Sequence, residues 1–147
     1  MSIRYFCLLI SIPCIAHAQH YGCATVGALM EQSLFDSVTK DLNIRPDSIQ
    51  RKKTRVDIID VSPISSVFAN QLAHIDYESD KSGTGKAILS EEEYFSTLYD
   101  NGVKSITAKY IYLNKQNKRD VFIATSLMNN DECSIRFNGY ITLAREF

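Results

Sequence analysis

The chain has 147 residues, 16 Lys and Arg against 17 Asp and Glu, and a formal net charge of −1. That length suits one domain, and the near-neutral balance argues against a nucleic-acid partner, which draws on a basic excess. Hydrophobic residues make up 45% of the chain, which excludes a polar, disordered class and leaves enough for a packed core.

Residues 1–18 read as a secretory signal peptide. Arg4 supplies the positive start, residues 5–15 are almost wholly apolar, and Ala16-His17-Ala18 is an A-x-A cleavage signal. The apolar run is too short to span a bilayer and no stop-transfer run follows, so no integral membrane segment is expected after removal of the signal. The expected organisation is a leader over 1–18, cleaved after Ala18, and one α+β domain over 19–147, periplasmic or secreted. Cys14 and Cys23 sit in near-matches to a lipid-attachment signal, which Pro13 and the lack of an aliphatic residue before Gly22 spoil.

Cleavage would take Cys7 and Cys14 with the leader and keep Cys23 and Cys133. In an oxidising compartment such a pair is expected to form one disulfide. It would close a loop of about 110 residues, on the order of 4–5 kcal/mol in the chain-entropy model.

Residues 24–42 form the first expected helix. Val26, Leu29, Met30, Leu34, Val38 and Leu42 recur at three- and four-residue spacing, Asn43 can end the helix, and Pro46 stops any continuation. Residues 47–55 are a polar connector with a basic run, Arg51, Lys52, Lys53 and Arg55, which suits either a solvated strand edge or an acidic partner. A first strand is expected over 55–61, with its alternation slipping between Ile58 and Ile59 as at a bulge. Ser62-Pro63 resembles a helix start. Ile64, Val67, Phe68, Gln71, Leu72 and Ile75 follow at helical spacing, giving a short second helix, with a strand over 67–77 as the competing assignment. Residues 76–86 are expected to be a flexible loop. Within it Ser82-Gly83-Thr84-Gly85-Lys86 only imitates a phosphate loop, because Asp80 and Ala87 stand where glycine and Ser or Thr are required. Ser90 with Glu93 makes a capping box for a third helix, which Tyr94, Phe95, Leu98 and Tyr99 continue and Gly102 ends.

The last third predicts a three-strand antiparallel meander over 105–113, 121–128 and 133–143, joined by short polar turns. The middle run is apolar on both parities, as a central strand is. In the last run Cys133, Ile135, Phe137, Gly139, Ile141 and Leu143 share one parity, expected to face the core. The fold class is then α+β. The N-terminal helix and the short helices pack on one face of an antiparallel sheet that ends in the meander, with one long-range disulfide. In layout this resembles the colicin M immunity protein family, where an early and a late cysteine are also bridged. The resemblance is of layout and carries over no motif and no residue role.

Enzyme chemistry finds little footing. His74 with Ser65 or Ser66 is the one imaginable nucleophile arrangement, and no strained nucleophile turn frames either serine. His20 and Cys23 have ligand-like spacing without a second pair. No catalytic residue, metal site or cofactor is therefore expected. Exposed Tyr and Arg are typical of protein-binding surfaces, and Tyr112, Arg136 and Tyr140 join the basic run as candidate contacts. The function expected is an exported protein that binds and neutralises another protein, a toxin or lytic enzyme. The alternatives are a secreted toxin-binding subunit or virulence factor, and a small hydrolase.

Overall fold

A computed structural model describes residues 21–147. The leader, its cleavage site, Cys7, Cys14 and His20 lie outside the described residues. A 3-10 turn over Tyr21–Ala24 precedes helix α1 (Leu29–Asp41), and two further 3-10 turns, Pro46–Ser48 and Arg51–Lys53, lead into strand β1 (Arg55–Pro63). Helices α2 (Ser66–Thr84) and α3 (Glu91–Tyr99) follow, then strands β2 (Lys104–Leu113), β3 (Arg119–Met128) and β4 (Arg136–Ala144). The four strands form one antiparallel meander in sequence order. Cys23 and Cys133 stand at disulfide distance, S–S 2.13 Å.

Helix α1 starts five residues later than the apolar stripe suggests. Gly27 takes φ +88°, and its N–H donates to the Glu31 carboxylate at 2.8 Å, so a side chain one turn inside the helix satisfies the entry. Met30, Leu34 and Val38 are fully buried against Ile106, Ala108, Tyr110, Phe122 and Ala124, while Leu29 is left exposed. The Tyr110 hydroxyl donates to the Ala24 carbonyl at 2.8 Å, tying the N-terminal turn to the centre of β2.

The α+β class, the meander and the cysteine pair agree with the sequence reading. The helices, however, divide between two faces rather than sharing one. Leu127 has the parity opposite to Phe122, Ala124 and Met128, and it packs with Ala69, Leu72 and Ala73 of α2 and Leu98 of α3. A strand apolar on both parities needs cover on both sides, and α2 and α3 supply the second.

Helix α2 is nineteen residues long, not a short helix followed by a loop. Ser62 and Pro63 finish β1, paired with Ser105 and Lys104; an edge strand tolerates the proline. The cap is Ser65, whose hydroxyl accepts from the Phe68 N–H at 3.2 Å. The helix runs on through the supposed loop until Gly85, at φ +79°, ends it. The false phosphate motif thus lies at a helix C-terminus, where carbonyls rather than N–H groups point outward. The capping box of α3 is present with both of its hydrogen bonds.

Strand β1 carries a bulge between Ile58 and Asp60, where the alternation slips. Strand β4 carries two that the sequence did not disclose: Phe137 pairs with Ser126 and Gly139 with Thr125, leaving Asn138 over, and Thr142 pairs with Phe122 and Ala144 with Val121, leaving Leu143 over. One extra residue inverts the parity that follows. Tyr140 therefore turns inward, its ring edge-on to Phe122 at 5.6 Å, and Ile141 turns outward.

Candidate partner-binding surface

Of the candidate contacts, four are held within the fold. Tyr112 is fully buried and donates from its hydroxyl to Glu31 at 3.0 Å. Burial, first, and the Glu31 charge push its hydroxyl pKa well above that of a free tyrosine. Arg51 meets the same carboxylate through Nε at 3.0 Å and Nη2 at 2.6 Å, and its guanidinium lies 4.6 Å from the centre of the Phe35 ring. Hydrogen bonding to Glu31 raises the Arg51 pKa further. Arg136 grips Asp76 of α2 with two nitrogens, at 2.9 and 2.8 Å. The Tyr140 hydroxyl reaches Asp41 at 3.2 Å. The outward pairing of Tyr112 and Tyr140 is thereby corrected: β2 parity places the first in the core, and the Asn138 bulge turns the second toward α1.

Glu31 has no exposed surface, and four donors from Gly27, Arg51 and Tyr112 saturate it. A buried carboxylate held this way is a brace. It anchors the Arg51–Lys53 turn against α1 and leaves Lys52 and Lys53 exposed. The connector is also docked on the β2–β3 hairpin, with Ile49 bridged to Asn114 and the Gln50 N–H donating to the Leu113 carbonyl at 2.8 Å. In that hairpin the Asn114 side chain accepts from the N–H groups of Gln116 and Lys118 at 2.9 and 3.0 Å, and Asn117 takes φ +61°. Lys115 and Lys118 stand exposed on this fixed turn.

Lys52, Lys53, Arg55, Lys115 and Lys118 thus gather at one end of the sheet. None of them makes an ion pair among the described residues. At the other end, about 30 Å away along ten-residue strands, lie Glu78, Asp80, Glu91, Glu92 and Glu93 of α2 and α3. Asp131 and Glu132 join them in the β3–β4 loop, which is tied to the α3–β2 loop by the Asn130 N–H to Asn101 carbonyl bond. The near-neutral total thus conceals a partial separation of charge, in which Asp47 and Glu146 stand near Lys115 and Lys118 at the basic end and Lys81 is paired with Glu78 at the acidic end. Sequence reading found the 51–55 half of the basic pole and missed Lys115 and Lys118, because only the docking of the connector on the hairpin brings them together.

His74 contacts Glu91 at 3.2 Å on the exposed side of α2. Ser66 is on the same helix about 12 Å away along its axis, and the Ser65 hydroxyl is occupied as a cap. Neither serine is paired with His74. Among the described residues no group of three or more His, Cys, Asp or Glu is placed to hold a metal ion, and no helix is long and apolar enough to cross a membrane.

No family model, no curated protein and no solved structure matches this chain.

Proposed function

We propose that this is an exported protein of the immunity or inhibitor type, which binds another protein and neutralises it through the basic pole. The observation that carries the reading is the cluster of exposed cations at Lys52, Lys53, Arg55, Lys115 and Lys118, none in a salt bridge although Asp47 lies near Lys115 and Glu146 near Lys118, held around a braced turn and a tight hairpin. Exposed charge fixed on a rigid scaffold attracts a complementary surface quickly and orients it on arrival. The target is then a protein with an acidic patch or cleft. The A-x-A leader pattern and the cysteine pair at disulfide distance support delivery to the periplasm or beyond.

The test is capture from the producer's lysate and medium with the oxidised protein as bait, followed by assay of whatever toxin or lytic enzyme is recovered. The expected result is one stoichiometric protein whose activity falls on binding. The double variant Lys52→Glu, Lys53→Glu should weaken capture by about tenfold or more and make it less salt-sensitive. Capture of nucleic acid instead, or of a protein held equally well by the double variant, would overturn the reading.

A further inference from the structure

We propose that the protein forms a two-fold dimer by pairing β4 with β4 of a second copy, so that α2 and α3 of each copy cover the bare half of the other's sheet. The first observation is a mismatch of widths. Helix α2 begins beside the end of β1 and reaches β4 at Asp76, which is bonded to Arg136. Ten residues of helix rise about 15 Å, and three strand spacings of about 4.8 Å come to about 14 Å, so the crossing is complete at that point. The helix nevertheless continues to Thr84. Its last two turns, about 12 Å long, overhang the β4 edge by the width of two more strands. Gly83, within the overhang, has open space beside it.

The second observation is the contrast between the two sheet edges. Both edges carry bulges, but β1 is also guarded by charge, at Arg55, Asp57 and Asp60, as exposed edges generally are. β4 carries no charge from Phe137 to Ala144 and exposes Ile141 at 59% and Leu143 at 54%. Beside it, the face opposite α1 is covered only near Leu127. The remaining half, with Ile111, Ile123 and Ile141, lies outside both packed clusters and includes a shallow hollow along β3 and β4.

One operation satisfies both features. A two-fold axis through the middle of β4 pairs the strands antiparallel and reverses the second sheet end for end. The overhang of one copy then lies above β4 and β3 of the other, at the end α2 leaves uncovered. Ile88 at the tip, 78% exposed, comes to apolar floor. The overhang does not reach β1, so Lys52 and Lys53 stay free for a target.

Sedimentation velocity of the oxidised protein over a concentration series should give twice the monomer mass. Hydrogen exchange should find the outward amides of β4 protected in the dimer. Ile141→Asp, and separately Ile88→Asp at the overhang tip, should each weaken association by about tenfold or more while circular dichroism stays unchanged. Ile88 lies far from the core, so a folding defect cannot account for its effect. A monomer at every concentration overturns the proposal. So does a dimer indifferent to both variants or with freely exchanging β4 amides, and so does β4 protection that appears only when a captured target is bound.

Discussion

The two faces of the sheet were built to different ends. Under α1 the surface is closed: Tyr110, Tyr112, Phe122, Met30 and Leu34 are buried, Glu31 is saturated, and Cys23 reaches across to Cys133. On the opposite face α2 and α3 seal one end around Leu127 and leave the other end to solvent. A four-stranded sheet with apolar residues on both parities needs two covers, and this chain supplies one and a half. The difference teaches where stability resides and where a partner has room.

Substitutions should separate the faces. The largest effect is expected from the bridge. Cys23→Ser with Cys133→Ser should lower unfolding free energy by roughly 4 kcal/mol, read as a shift in urea midpoint. Undiminished stability would show that the closed face does not depend on it. Phe122→Ala should follow at about 3–5 kcal/mol, because it leaves a cavity under α1. Glu31→Ala strands Arg51 and Tyr112 without their acceptor and should remove about 3 kcal/mol; it should also loosen Lys52 and Lys53, seen as faster amide exchange over 51–53. On the open face Ile141→Ser should change the stability of dilute, dissociated protein by no more than about 0.5 kcal/mol. A loss comparable to that of Phe122→Ala would mean the open half is core after all.

The smallest effect concerns pH at the α3 cap. Hydrogen bonds from Ser90, first from its backbone N–H and then from its hydroxyl, hold the Glu93 carboxyl below the usual carboxylate range. A carboxyl whose folded pKa is lowered contributes fully above its unfolded pKa, and the contribution fades as pH falls through the folded value. Titration by NMR should therefore place the Glu93 midpoint below the ordinary glutamate value, and Ser90→Ala, which removes the hydroxyl but keeps the backbone N–H, should raise it part of the way.

Much of the fold was legible because local chemistry decides it. The Ser90–Glu93 box marks α3, the alternation of β2 and β3 marks the strands, and the slip at Ile58 and Ile59 marks a real bulge. Where sequence reading failed, a distant partner had overruled a local preference. Ser62-Pro63 looks like a helix start, but pairing with Lys104 and Ser105 keeps it in β1. Residues 76–84 look like a loop, yet they are helical against α3, with the Tyr94 hydroxyl on Asp80 and His74 near Glu91. The Asn138 bulge depends on how β4 meets β3, and no alternation within β4 announces it.

By itself the sequence determined the α+β class, the antiparallel meander, the α3 cap and the pairing of Cys23 with Cys133. The first three follow from periodicity and turn chemistry, which are properties of short stretches, and the cysteine pair from the expectation that a leader takes Cys7 and Cys14 away. Tertiary structure alone decided the division of helices between two faces, the burial of Tyr112, the inward turn of Tyr140, and the meeting of Lys52 and Lys53 with Lys115 and Lys118. Those are contacts between residues tens of positions apart, set by strand register and by which surface each helix covers, and neither is written in any one segment.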